Sequence, residues 1–306
     1  MWQSLVRNLI YGAARRRMSE AAQAAAAGEG RPETAAKPVP PGRRPACHVG
    51  LVFALGIEST SFVDRMAGVI RISGAGFVGR EGGLHGRRVV AIEAGVGRRA
   101  AERGTHALIA GHKPQWVISA GFAGGLDQRL RMGDIVIADR VADLAGRELE
   151  IDVNVDAAIQ AANPRLHVGR LITVDHIIHD AKQKERLGRE RQAIAVDMES
   201  MAVAEVCRQE KVPFMAVRVI SDPVMRDLPR DIDYLVKRRS TAGRLGAAAR
   251  AILHRPSSVK DMWQLREDAL RASQQLGGFL VGVVKQLERE RDEGREARSE
   301  EKTRND

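Results

Sequence analysis

The chain has 306 residues, 44% apolar and 4% aromatic, enough for one large α/β domain or two small ones with a core of Ala, Val, Ile and Leu. No apolar run reaches the ~20 residues that a membrane-spanning helix needs. The formal net charge of +10 invites an anionic partner, but residues 1–46 hold eight Arg/Lys against three Glu, so half of the excess sits in one segment. No basic stripe with interleaved aromatics follows, and no nucleic-acid partner is expected.

The N-terminal segment, 1–46, reads as a basic, Ala/Pro-rich flexible extension. Its first part places Trp2, Leu5, Val6, Leu9 and Ile10 near helical spacing ahead of Arg15, Arg16 and Arg17. Two readings stand: a short basic helix at an anionic membrane surface, or an unstructured extension whose true start is Met18. Arg7 and Asn8 break the apolar stretch, which argues against a cleavable signal. Cys47 and Cys207 have neither disulfide-like nor metal-like spacing, so the expected setting is reduced and cytoplasmic, peripheral to the membrane if residues 1–46 bind it.

From Cys47 onward, apolar runs alternate with amphipathic stretches. "HVGLVFAL" predicts a buried strand and "ESTSFVDRM" the helix after it; "RRVVAIEAG" and "RRAAERGTHALIAGH" repeat the pair. "PQWVISAG", "GDIVIADRV" and "VGRLITV" are strands, "KQKERLGRE" a helix, "AIAV" a short strand, "ESMAVAEVCRQE" a helix and "PFMAVRVIS" a strand. This alternation predicts an α/β fold with a mainly parallel, twisted, doubly wound sheet flanked by helices. Two extra C-terminal helices follow, within 231–255 and 259–287, separated by Pro256, and the chain ends in a charged tail. The expected divisions are 1–46, an α/β domain over 47–255, and a C-terminal helix and tail over 256–306.

Glycine clusters offer a false lead. "GAGFVG", from Gly74 to Gly79, spells GxGxxG but leads into "REGGLHG", which cannot open a helix; a hairpin or loop is expected. "GVGRRA" follows a strand and opens a helix, but the acid that a dinucleotide site needs about 20 residues on is missing from "WVISAGF". Gly95 and Gly97 retain a physical use, letting backbone and helix amides approach a polar group. Gly121, Gly124 and Gly125 follow a buried strand, where a side chain would obstruct whatever occupies the strand end.

Four acids fall at helix starts or strand ends: Glu58, Asp197, Glu199 and Asp222. Singly, Glu58 and Glu199 suit the positive end of a helix and Asp222 a turn. Together, at carboxyl ends of strands in one sheet, they can converge on a cleft. Paired acids suit glycosidic cleavage: one protonates the leaving group while another activates water or stabilises a ribosyl cation. His176 and His179 with Asp175 carry no further ligand at helical or hairpin spacing, so neither metal nor cofactor is expected.

The motifs "GLVFALGIES", "AGVGRRAA", "VISAGFAGGLDQRLRMGDIVIAD", "AIAVDMESMAVAEVC" and "PFMAVRVISD", over about residues 48–225, resemble the nucleoside phosphorylase and nucleosidase superfamily, and within it the methylthioadenosine/S-adenosylhomocysteine nucleosidases. The resemblance implies that Glu58 helps activate the attacking water. It implies that Glu199 holds the ribose hydroxyls with Met198 against the sugar, and that Asp222 delivers a proton to purine N7 with Ser221 beside it. By the same resemblance Ile177 and Ile178 lie near adenine, and Gly95 and Gly121 lie in the binding region. Ile177 stands where the family often has an aromatic, and Ala94 where it has a serine. The family's phosphorylases hold phosphate with an Arg and a Ser around the third glycine cluster; those positions read Ser119 and Phe122 here. The expected reaction is therefore hydrolysis of an adenine nucleoside, with water as co-substrate. Phosphorolysis remains the alternative, because Arg98 and Arg99 offer other cations and because "AVDMES", "ISDP" and "LP" also resemble the hopanoid-associated phosphorylases. A non-catalytic nucleoside-binding protein is a further alternative. The family analogy also suggests a homodimer.

Overall fold

The computed structural model describes residues 46–74, 77–152, 163–226 and 266–287. The N-terminal extension, apart from its last residue, the helix expected within 231–255 and the charged tail lie outside them. The chain starts with β1 (Val49–Phe53), α1 (Gly56–Val63), β2 (Ala67–Gly74), β3 (Phe77–Leu84) and β4 (Arg87–Glu93). After α2 (Arg98–His112) come β5 (Trp116–Gly125), β6 (Ile135–Asp143), β7 (Glu148–Glu150) and β8 (Leu166–Thr173). The last elements are α3 (Ala181–Arg191), β9 (Ala195–Asp197), α4 (Ser200–Gln209) and β10 (Phe214–Asp222), followed by a helix, α5, over 266–287.

β1 lies between parallel neighbours β4 and β5. β10 adds in parallel along nearly the whole of β5. At one end the sheet continues through antiparallel β3 and β2, so Gly74 ends one strand and Phe77–Gly79 begin the next; "ISGAGFVGREGG" lacks the unbroken apolar run that marks the buried strands. At the other end the sheet closes on itself. β10 pairs with β6, β6 with β8, β8 with β9, and β9 returns to the tip of β5. This circuit brings the ends of β5, β8, β9 and β10 around one opening.

Alternation along β1 sorts the two layers. Val49, Leu51 and Phe53 face a cluster containing Phe62 of α1 and Leu276, Phe279, Leu280 and Val283 of α5. Val52 faces the other side, with Leu108 of α2 and Val203 and Val206 of α4. The C-terminal helix is thus part of the central core. Both cysteines are buried in the second cluster as free thiols, and burial pushes each up to about 12, so neither is a nucleophile at neutral pH. No helix among the described residues is long and apolar enough to cross a membrane.

Candidate active site

Glu58 is the third residue of α1, where the amides of the first turn lack helical partners. Its Oε2 accepts from the N–H groups of Ala54 (2.9 Å) and Leu55 (2.8 Å). Its Oε1 reaches across to the N–H of Phe122 in β5, at 2.8 Å. One side chain thus serves both the start of α1 and the backbone of β5. Burial pushes its carboxyl above the usual range, against the three amides and the Arg218 charge, so it is poised to take up a proton.

Asp197 and Glu199, two residues apart, have opposite fates. Asp197 is buried at the end of β9 and accepts from Thr173 Oγ1 (2.7 Å) and the Ser200 N–H (2.9 Å). Its Oδ2 also takes Arg218 Nη2 at 2.6 Å. Glu199, at the start of α4, faces the opening; its Oε1 accepts from the Gly97 N–H at 2.7 Å. Gly97 has φ 90°, a conformation that L side chains avoid. That turn aims its amide at Glu199, so the "GVG" loop serves a carboxylate. Burial, then the Asp197 and Glu58 carboxylates, push Glu199 up to about 8.

Asp222 ends β10, after a register shift against β5 between Ile220 and Asp222. Such a bulge re-aims side chains at a strand end. Its Oδ1 accepts from Ser221 Oγ at 2.7 Å and its Oδ2 from Lys184 Nζ at 2.7 Å. Burial raises its pKa, and the Lys184 charge opposes the rise.

The glycine cluster makes room for these acids. A Cβ on Gly121 would stand 2.8 Å from Glu58 Oε1, and one on Gly124 would stand 3.1 Å from Asp222 Oδ2. The obstruction expected at this strand end falls first on the protein's own carboxylates.

Glu58, Glu199 and Asp222 line one cleft open to solvent, with Met198, Ser221, Ile177 and Ile178. Gly95 and Gly121 line a second, much smaller space bordered by Glu58, Glu199 and Arg218. Glu58, Glu199, Asp222, Met198, Ser221, Ile177, Ile178, Gly95 and Gly121 thus each border one of two spaces that share Glu58 and Glu199. Phe122 lines the larger one, but Ser119 does not: its hydroxyl accepts from Arg218 Nη2 at 2.8 Å. Arg98 is also engaged, with Asp143 at 3.2 Å and Asp175 at 3.7 Å. Arg99 is exposed.

Two cations escaped the sequence reading. Arg218 sits mid-strand in "AVRVIS", and a charge inside a run that must be buried is a legible signal for a paired site. Lys184 lies in "AKQKERLGRER", where nothing in the sequence separates the one buried cation from its neighbours.

A helix-flanked sheet that closes around a largely apolar cleft bordered by Glu58, Glu199 and Asp222 has the layout of an α/β enzyme. The chain belongs to the phosphorylase superfamily, whose family profile matches residues 49–254. It is similar to a 5′-methylthioadenosine/S-adenosylhomocysteine nucleosidase of Staphylococcus aureus, 30% identical over 195 residues, 57% of this chain and 86% of that one. The crystal structure of the 5′-methylthioadenosine/S-adenosylhomocysteine nucleosidase of Neisseria meningitidis in complex with methylthio-immucillin-A shares the fold, with a TM-score of 0.58 and 21% identity over 78% of this chain and 98% of that one. So does the native structure of futalosine hydrolase of Helicobacter pylori, with a TM-score of 0.57 and 20% identity over 78% and 98%.

Proposed function

We propose that this protein hydrolyses the N-glycosidic bond of an adenine nucleoside of the methylthioadenosine or S-adenosylhomocysteine type. The observation that carries the reading is the gathering of Glu58, Glu199 and Asp222 around one cavity, each held by a different set of partners. Protonated Asp222 gives its proton to purine N7, so the base leaves neutral as the C1′–N9 bond breaks. Glu199 holds the ribose hydroxyls, and Glu58 supplies negative charge beside the developing ribosyl cation. Water adds to C1′ and loses its proton to Glu58, whose raised proton affinity suits a general base. Met198 packs on the sugar, and Ile177 and Ile178 form the apolar wall against adenine.

Water is favoured over phosphate by the way the neighbouring cations are spent. Arg218 is committed to Asp197, Lys184 to Asp222 and Arg98 to Asp143. The Ser119 hydroxyl is committed to Arg218. A buried Glu58 carboxylate repels a phosphate anion and attracts a water proton.

The test is product analysis with methylthioadenosine, S-adenosylhomocysteine, adenosine, inosine and futalosine, each with and without phosphate. Free base and free ribosyl product without phosphate, abolished in Asp222→Asn, are expected. A strict phosphate requirement would replace hydrolysis by phosphorolysis. Tight binding without base release would make the protein a nucleoside-binding protein.

A further inference from the structure

Lys184 is fully buried, although it belongs to the most highly charged of the described helices. Its ammonium donates to Asp222 Oδ2 at 2.7 Å, to the Arg226 carbonyl at 2.9 Å and to the Pro223 carbonyl at 3.5 Å. Three acceptors engage its three protons. Asp222 borders the cavity and Lys184 does not. A buried ammonium is costly unless its partners repay the lost hydration, and these partners are the proposed proton donor and the backbone just beyond it. The 223–226 turn is fixed from the far side as well, since Arg226 Nη1 pairs with Asp268 of α5 at 2.9 Å.

We propose that Lys184 is a positioning residue for proton delivery: it occupies Asp222 Oδ2, so that Oδ1, the oxygen beside Ser221, carries the proton and hands it to the base. The inference rests on the reading of Asp222 as the acid. The hydroxyl oxygen of a carboxylic acid is a weaker acceptor than its carbonyl oxygen, so the ammonium favours keeping Oδ2 as the carbonyl. The proton therefore resides on Oδ1, where Ser221 Oγ lies at 2.7 Å. When the Oδ1–H bond breaks and the N7–H bond forms, Asp222 is left as a carboxylate already paired with an ammonium. Burial loads the proton onto the acid and the lysine eases its release. The charged groups acting on Asp222 are Lys184 from α3 and Arg226 from the turn after β10, with Asp268 behind Arg226; Glu58 and Glu199 line the same cavity.

The experiment compares full-length wild type, Lys184→Met and Lys184→Gln, measuring adenine release from methylthioadenosine as kcat and KM from pH 5 to 10, with thermal melting alongside. Activity needs the protonated acid, so it falls as pH rises through the Asp222 pKa. Loss of the ammonium raises that pKa and moves the alkaline limb of kcat upward, by about 1 unit. At the optimum kcat falls about 10-fold or more while KM changes less than about 3-fold. Lys184→Gln, uncharged but able to donate a hydrogen bond, keeps the limb shift and recovers part of kcat; it also serves if the Met variant does not fold. An unmoved limb with only a lowered melting temperature overturns the proposal. Asp222→Asn separates the two layers. If that variant turns over normally, the acid assignment itself fails; if it is inactive while both lysine variants keep the wild-type pH profile, only the role of Lys184 fails.

Discussion

Gly121→Ala adds one methyl group at the floor of the site. Gly121 lies mid-strand in β5, opposite Arg218 of β10, and its backbone is not in the left-handed region, so alanine adopts the same conformation without strain. The only obstacle is contact. The new Cβ would stand 2.8 Å from Glu58 Oε1 and 3.1 Å from its Cδ, where ordinary contact begins at 3.4 Å, so the carboxyl must retreat by about 0.6 Å. That displacement lengthens the 2.8 Å bond from the Phe122 N–H to as much as about 3.4 Å, past the usual hydrogen-bond range of about 2.7–3.2 Å. Overpacking and a buried amide left without its acceptor together cost about 1–3 kcal/mol of stability. A misplacement approaching 1 Å in a group that orients the nucleophile lowers kcat/KM by about 10²-fold. Chemical denaturation and adenine release from methylthioadenosine measure both quantities. A variant within about 0.5 kcal/mol and about 3-fold of wild type would refute the argument that this glycine exists to seat Glu58.

Three further outcomes are expected. Arg218→Met strands the Asp197 carboxylate inside the sheet and lowers stability by about 3–5 kcal/mol in a denaturant titration; a change below about 1 kcal/mol would show that the pair does not hold β9 to β10. Glu199 has its proton affinity raised by folding, so its contribution to stability is complete below its ordinary value of 4.5 and disappears as pH rises through about 8. Melting temperature should therefore fall across that window in the wild type and fall less in Glu199→Gln; parallel curves would place Glu199 in a more hydrated setting than the structure gives it. Leu276→Ala in α5 removes a fully buried side chain from the central cluster and should cost about 2–5 kcal/mol without changing KM; a neutral effect would mean that this helix is not integral to the domain.

Much of this architecture is written locally. Runs such as "VGLVF" and "FMAVRVIS" have nowhere to go but a buried sheet, and "RRAAERGTHALIAGH" carries one apolar face along a full helix, observed over the same residues. The acids Glu58, Glu199 and Asp222 also stand out locally, because a carboxylate beside a buried run costs solvation that only a partner or a function repays. Tertiary structure decided which partner each acid received. Asp197 and Glu199 are equivalent in sequence, yet one faces Arg218 and the other the cavity, a difference set by β9 joining β8 to the tip of β5. The ring closure, the limb of β2 and β3, and the burial of one lysine among the charges of α3 depend on contacts between residues far apart in the chain. Periodicity records whether a side chain faces inward; what it meets there is fixed only when distant strands close around it.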